Sequence, residues 1–237
     1  ENLLTLEGVH THIGAYHILH GVDLVVPRGE LTMLLGRNGA GKTTTLRTIM
    51  GLWQASQGRI TFGGEDITAQ STPAIAQKNI AYVPENMGIF SDLTVKENML
   101  LAARSAQHAA QMDEARLQWI FKLFPAVEKF WNHPAGKLSG GQKQMLAVSR
   151  AIVEPRDLLI IDEPSKGLAP AIIQNMIDAF QQLKASGVTI LLVEQNVARA
   201  LSISDRAYIL DQGQIVHEGS AAELLANEEI QEKYCAV

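Results

Sequence analysis

The chain has 237 residues, of which 46% are hydrophobic and 19% are charged, and its net charge is −5. This is the balance of an ordinary globular protein, and it excludes the disordered and fibrous classes. The sequence has no long basic run, so nucleic acid is not expected as a partner, and its single cysteine excludes an internal disulfide framework. The apolar runs are far shorter than the roughly 20 residues that cross a bilayer, so we expect any membrane-spanning part to come from another chain.

The predicted elements begin with two antiparallel strands, at residues 3–9 and 18–26, joined near Gly14 and stopped by Pro27. Later apolar runs, rich in β-branched residues and leucine, predict strands that are buried on both faces. These runs are residues 31–35, 80–83, 158–161 and 188–193. Because helical patterns separate them, we predict an α/β fold with a parallel-rich core sheet and an antiparallel N-terminal β-subdomain.

The amino-acid composition changes between residues 93 and 130, where alanine, glutamine, leucine and lysine dominate. Thr94, followed three residues later by Glu97, predicts a capped helix that begins at Val95. We interpret residues 86–138 as an inserted α-helical lobe. Residues 1–85 and 139–237 then form the catalytic core of a single domain, which ends with strands at 207–210 and 214–217 and with helices from Ser220.

Residues 36–43 fit the pattern G-x-x-x-x-G-K-[ST] and lie between a predicted strand and a predicted helix. The glycines allow consecutive backbone N–H groups to face a polyphosphate, and the helix N-terminus adds a partial positive charge. Lys42 is expected to reach the β- and γ-phosphates and Thr43 to ligate Mg²⁺. The predicted nucleotide contacts of this loop are Gly36, Arg37, Asn38, Gly39, Ala40, Gly41, Lys42, Thr43 and Thr44.

Two adjacent carboxylates, Asp162 and Glu163, follow the apolar run at residues 158–161. Successive residues of a strand point to opposite faces, so the two side chains are expected to do different work. Asp162 is predicted to hold Mg²⁺ and Glu163 to polarise the attacking water. The alternative is a solvated pair at a strand end, and the phosphate loop favours the catalytic interpretation.

Residues 138–142 read Leu-Ser-Gly-Gly-Gln and precede a clear helical pattern. This is a second phosphate-binding helix start, which would be redundant within one subunit. With this motif, essentially the whole chain resembles the ATP-binding subunits of ABC transporters. The resemblance implies that Tyr16 stacks on adenine and that a second subunit's ATP is contacted in trans by Ser139, Gly140, Gly141 and Gln142.

The resemblance extends to a subfamily through residues 82–85 (YVPE), 90–95 (FSDLTV), 167–170 (GLAP) and 192–196 (LVEQN). These segments are similar to the smaller of the two ATPases of branched-chain amino acid importers. The resemblance implies an ATP- and Mg²⁺-dependent ATPase that powers import of such amino acids or a related solute. It also implies a peripheral position at the cytoplasmic face of the plasma membrane, where permease subunits contact the loop around residues 87–90.

The chain departs from the general family pattern at two polar positions. Glu85 stands where glutamine usually ligates Mg²⁺ and the attacking water, and Gln195 stands where a histidine usually contacts the γ-phosphate. Both residues are expected to act at the site, Glu85 on the metal and Gln195 in catalysis, and together they favour a heterodimer with two unequal ATP sites. Lys166 is also unusual for its position. Two other classes stay open on the residues alone, a soluble ABC-type switch protein and a phosphotransferase.

Overall fold

The computed structural model describes residues 1–103, 112–195 and 200–234. Residues 104–111 of the predicted helical lobe and Asn196 of the LVEQN segment lie outside the described residues. The strands are β1 (Asn2–Ile13), β2 (Tyr16–Pro27), β3 (Leu31–Leu35), β4 (Ala55–Phe62), β5 (Glu65–Asp66), β6 (Ile80–Val83), β7 (Leu158–Asp162), β8 (Thr189–Glu194), β9 (Arg206–Asp211) and β10 (Gln214–Ser220). The α-helices are α1 (Lys42–Ile49), α2 (Thr72–Ala76), α3 (Val95–Ala102), α4 (Glu114–Leu123), α5 (Pro125–Lys129), α6 (Gly140–Ala151), α7 (Pro170–Ala185), α8 (Ala221–Leu225) and α9 (Glu228–Tyr234).

The N-terminal strands form an antiparallel sheet in the order β2-β1-β4-β5. The β1–β2 hairpin turns tightly, with Ile13 paired to Tyr16, and Gly14 takes a positive φ of 59° in the turn. Strand β4 was not predicted, because most of its first half is polar and exposed and so shows no alternation. It is held by pairing with β1 rather than by its own pattern.

The central sheet has the order β10-β9-β3-β8-β7-β6 within the described residues. Its strands run parallel except β10, which pairs antiparallel with β9. Every residue of β3, β7 and β8 is buried, as the continuous apolar runs predicted. Because parallel strands end at one edge of a sheet, the residues that follow β3, β6, β7 and β8 converge there.

The helical lobe packs on the same hydrophobic core as one face of the central sheet. Thr94 caps α3 in a reciprocal box with Glu97, with Thr94 N to Glu97 Oε1 at 3.0 Å and Glu97 N to Thr94 Oγ1 at 3.1 Å. Phe124, between α4 and α5, is 1% exposed within this core. No helix in the described part of the chain is long and apolar enough to cross a membrane.

Candidate nucleotide site

The loop between β3 and α1 has the backbone that its glycines predict. Gly39 and Gly41 have positive φ values of 83° and 108°, a region that L side chains rarely adopt. A Cβ added at Gly36 would lie 2.5 Å from the Leu210 carbonyl oxygen of the neighbouring strand. The loop is therefore possible only with glycine at these places, and it leads directly into the N-terminus of α1.

Lys42 is almost completely buried and its ammonium is held by oxygens on three sides. It donates to the carbonyl oxygens of Gly36 at 2.5 Å and Arg37 at 3.0 Å. Glu163 Oε1 lies 3.4 Å from the same nitrogen, and the two side chains are only 4% and 7% exposed. A buried ammonium needs such partners, because an isolated charge in an apolar interior is strongly unfavourable.

Asp162 is the last residue of β7, and only one of its two carboxylate oxygens accepts a hydrogen bond from the described residues. Thr43 donates its hydroxyl to Asp162 Oδ2 at 3.1 Å. Oδ1 is buried without a hydrogen-bond partner in the described part of the chain, which is unusual for a native protein. Burial raises the pKa of Asp162 to about 6 against the lowering effect of Thr43, and the charges of Glu163 and Glu85 raise it further.

Glu163 has a left-handed backbone with φ of 45°, and its N–H donates to the Val193 carbonyl at 2.8 Å. Such a conformation in a non-glycine residue costs of order 1–3 kcal/mol and occurs mainly at functional sites. The chain leaves strand geometry here, so the alternation of faces expected from the sequence does not hold. Instead, Asp162 reaches Thr43 and Glu163 reaches Lys42, the first two residues of α1.

Lys42, Thr43 and Glu163 line a cavity of about 370 Å³, whereas Asp162 lies behind Thr43 and is not part of the cavity wall. The cavity is lined by Ile18, Asn38, Gly39, Gly41, Lys42, Thr43, Thr44, Glu85, Glu163 and Lys166. Eight of these were predicted as site residues, whereas Ile18 and Lys166 were not. Ile18 could have been predicted from strand periodicity: it is two residues from Tyr16, the predicted adenine contact, so both side chains lie on the same face of β2.

Lys166 and Glu85 form an ion pair across the mouth of this cavity. The segment that carries Lys166 is fixed through Ser165, whose hydroxyl donates to Glu194 Oε2 at 2.7 Å and whose N–H donates to Oε1 at 3.2 Å. Burial raises the pKa of Glu194 to about 7, although both bonds from Ser165 lower it. No sequence pattern predicted the Lys166–Glu85 or the Ser165–Glu194 contact, because in each the two residues follow or end different strands of the sheet.

Some predicted site residues lie away from the cavity wall. Tyr16 is 74% exposed at the start of β2, and Gln195 is half-buried directly after β8. Ser139 caps α6, accepting from Gln142 N at 3.2 Å while its own N–H donates to Gln142 Oε1 at 3.0 Å.

The glycines of the same motif differ in their surroundings. Gly140 is exposed, whereas Gly141 is buried, and a Cβ on Gly141 would meet Ile172 Cγ2 at 2.4 Å. None of residues 139–142 is among those that line the cavity of the same chain.

A glycine-rich loop at the carboxyl edge of a parallel sheet, followed by a helix and faced by an acidic strand end, defines a P-loop nucleotide-binding protein. A family model described as ABC transporter matches residues 19–166. The chain belongs to the ABC transporter family and is an ABC-type ATPase that binds ATP.

Two relatives cover nearly the whole chain. The high-affinity branched-chain amino acid transport ATP-binding protein BraG of Pseudomonas aeruginosa is 41% identical, over 98% of this chain and 99% of the relative. The probable branched-chain amino acid transport ATP-binding protein LivF of Archaeoglobus fulgidus is 39% identical over 92% of each chain. Among solved structures, the ADP conformation of MJ1267, an ATP-binding cassette of an ABC transporter, has a TM-score of 0.84 at 26% identity over 98% of both chains. The predicted fold class and the predicted family are thus confirmed.

Proposed function

We propose that this chain is the ATP-hydrolysing subunit that powers import of branched-chain amino acids or a related small solute through a membrane partner. The observation that carries this proposal is the 41% identity with BraG over 98% of this chain and 99% of that protein. The same observation disfavours a phosphotransferase and a soluble switch protein, because the relative that aligns with 98% of this chain is itself a transport ATP-binding protein.

In this proposal the loop at residues 36–44 binds the phosphates of ATP through backbone N–H groups and through Lys42. Lys42 exchanges its contact with Glu163 for the phosphates, since both compete for one ammonium. Glu163 is then free to orient and polarise the attacking water as a general base. Its strained backbone supports this role, because strain of this kind persists where geometry is needed for chemistry.

Mg²⁺ fits the residues at the end of β7, where the buried Asp162 Oδ1 has no hydrogen-bond partner among the described residues. The described part of the chain has no group of three or more His, Cys, Asp or Glu side chains that would hold a metal ion alone. This suits Mg²⁺, which is usually held by one or two carboxylates together with substrate phosphates. Thr43, Asp162 and Glu85 would supply the protein oxygens, and the bound ion would neutralise charge on the β- and γ-phosphates.

The motif at residues 139–142 is assigned to a second ATP-binding subunit. Ser139 and Gly140 are exposed at the N-terminus of α6, where the helix dipole favours an anion. They do not line the phosphate cavity of their own chain, so a facing subunit is the natural source of the phosphate. Tyr16 and Gln195 complete the proposed site, on adenine and near the γ-phosphate. Glu85 and Gln195 favour a different ATPase as the partner.

The membrane partner is assigned to the loop around Met87 and Phe90. Met87 packs against the core, whereas Phe90 is 50% exposed. Arg150 donates to the Gly88 carbonyl at 2.6 Å and lies 5.2 Å from the Phe90 ring centroid. An exposed aromatic on a braced loop suits a protein partner, which would hold the chain at the cytoplasmic membrane face.

Affinity purification of the tagged chain from detergent-solubilised membranes tests the function. We expect two integral membrane subunits and a second, different ATPase to be recovered, and ATPase activity that rises with a branched-chain amino acid and its binding protein. Recovery of the chain without any membrane subunit, at native expression level, would contradict the transport proposal. Recovery with membrane subunits but without a second ATPase chain would contradict the heterodimer.

A further inference from the structure

The phosphate cavity contains two cations, Lys42 and Lys166. Each is paired with an acid of the proposed catalytic set, Lys42 with Glu163 and Lys166 with Glu85. Asp162 is the third acid nearby; the pKa of Lys166 is raised first by its hydrogen bond to Glu85 and the charge of that carboxylate, and then by the charges of Glu163 and Asp162. The phosphate loop accounts for Lys42, whereas nothing in the loop motif accounts for Lys166.

The backbone at Lys166 is firmly held, although its side chain is not. Its N–H donates to the Glu163 carbonyl at 3.3 Å, and Ser165 before it is fixed to the buried Glu194 by two hydrogen bonds. Its side chain is 59% exposed and that of Glu85 is 39% exposed. The anchored backbone keeps the ammonium at the cavity mouth, while the flexible four-carbon stem leaves it free to change partners.

The two ion pairs differ in how easily they open. Lys42 and Glu163 are buried, whereas both side chains of the Lys166–Glu85 pair are exposed to water, and ion pairs exposed to solvent contribute little to stability. A terminal phosphate carries more negative charge than one carboxylate and offers several oxygens. A terminal phosphate that enters the cavity can therefore displace Glu85 as the partner of Lys166.

We propose that Lys166 is a second phosphate-binding residue of this chain, and that its ion pair with Glu85 opens when ATP enters the cavity. Lys166 then contacts the terminal phosphate, and the Glu85 carboxylate is released toward Asp162 and Thr43. The exchange depends on a third phosphate, so it makes this site discriminate between ATP and ADP. The proposal rests on the assignment of the cavity to ATP made above.

The test compares the binding of a non-hydrolysable ATP analogue and of ADP by calorimetry, with and without Mg²⁺, to the purified chain. Lys166→Met is expected to weaken analogue binding about tenfold, as for loss of one charge-assisted hydrogen bond, and ADP binding less than about twofold. Lys166→Arg keeps the charge and is expected to restore most of the analogue affinity. Lys78→Met is the matched control, because it removes an equally simple ion pair, with Glu65 at 2.8 Å, outside the cavity.

Glu85→Gln tests the exchange itself. Without Mg²⁺, it is expected to tighten analogue binding, because Lys166 no longer has to leave a carboxylate. In the Lys166→Met background the same change should have a much smaller effect. Equal losses for analogue and ADP in Lys166→Met, or a Glu85→Gln effect that is unchanged in that background, would overturn the inference while leaving the ATPase assignment intact. Failure of the unaltered chain to bind either nucleotide would overturn both.

Discussion

At the scale of single residues, the proposed site is a set of charges that satisfy one another inside a small cavity. Lys42 and Glu163 form a deeply buried ion pair, with side-chain exposures of 4% and 7%. Removing one partner of such a pair leaves the other charge buried without compensation. Here Lys42 also donates to the carbonyl oxygens of Gly36 and Arg37, which limits that effect. Glu163 can therefore be substituted without leaving the Lys42 ammonium unpaired.

Glu163→Gln is expected to lower the ATPase rate about 10²–10⁴-fold, the usual range for loss of a general base. ATP binding should be retained or tightened, because the amide competes less well for the Lys42 ammonium. Steady-state ATPase assays and calorimetric ATP titration measure the two effects. Glu114→Gln, on the exposed face of α4, is the control, and equal loss of ATP affinity and rate in Glu163→Gln would contradict the assignment.

Buried carboxylates make the stability of this chain depend on pH in a definite direction. Glu194 has a pKa raised to about 7, chiefly by burial, so the folded chain binds its proton more strongly than the unfolded chain does. Stability from this group is fully present below the unfolded pKa and is lost as pH rises through about 7. Asp162 acts in the same sense through about 6. His17 acts oppositely, since desolvation and then His20, His12 and His10 lower its pKa.

Comparing the unaltered chain with Glu194→Gln separates the pH-dependent stability due to Glu194 from that due to His17, because His17 is present in both. The unfolding free energy of the unaltered chain, relative to the variant, is expected to decline between about pH 5 and about pH 8, where the folded carboxyl titrates. Urea denaturation at several pH values measures the difference. A difference that stays constant or grows with pH would show that Glu194 is not protonated in the folded chain near neutrality.

At the scale of elements, the start of α6 serves both packing and the proposed contact with a second subunit. Ser139 and Gln142 form a reciprocal cap, and Gly141 lets α6 approach α7 closely at Ile172. The Leu-Ser-Gly-Gly-Gln motif thus serves the fold of one chain as well as the proposed contact with a second subunit. Only Ser139 and Gly140 remain exposed for an external ligand.

Gly141→Ala is expected to destabilise the chain by about 1–3 kcal/mol, the usual effect of forcing extra volume into a packed contact. The added Cβ would lie 2.4 Å from Ile172 Cγ2, whereas at Gly140 the nearest atom is Leu168 Cδ2 at 3.5 Å. Gly140→Ala is therefore the matched control and should be neutral or slightly stabilising. Thermal unfolding measures both, and Ile172→Ala should relieve the Gly141→Ala effect; equal unfolding temperatures for the two alanine variants would refute this packing.

At the scale of the whole molecule, one chain carries the two parts of the proposed phosphate site on separate surfaces. The cavity lies at the carboxyl edge of the central sheet, and the start of α6 does not line it. A second subunit that faces the first would bring each start of α6 to the other's cavity. Such assembly would depend on nucleotide, because the γ-phosphate would be bound from both sides.

Glu163→Gln, mixed with the partner ATPase, ATP and Mg²⁺, is expected to form dimers that ADP does not support, because the slow variant keeps the γ-phosphate in place. Light scattering coupled to size-exclusion chromatography measures the mass. Ser139→Arg, made in the same background, should abolish the dimer and keep ATP binding by its own loop. Dimers of equal amount with ADP, or dimers that survive Ser139→Arg, would contradict assembly through the γ-phosphate.

The sequence by itself determined the elements whose signals are local. Strands β3 and β6 begin and end where their apolar runs do, and the caps of α3 and α6 follow from residues three positions apart. The candidate phosphate loop and the candidate acidic strand end could also be predicted from the sequence, because each is a short run of fixed residue types. Strand β4 was missed, because its polar first half is ordered by pairing with β1 and not by burial.

Only the tertiary structure decided which charges meet at the proposed site. Glu85 follows β6, Lys166 lies beyond β7 and Glu194 ends β8, so their contacts depend on the order of strands in the sheet. The left-handed turn at Glu163 likewise depends on its hydrogen bond to Val193 of the neighbouring strand. The physical reason is the same throughout: periodicity and motifs report what a residue does to its own segment, whereas electrostatic pairing depends on distances between segments that only packing sets.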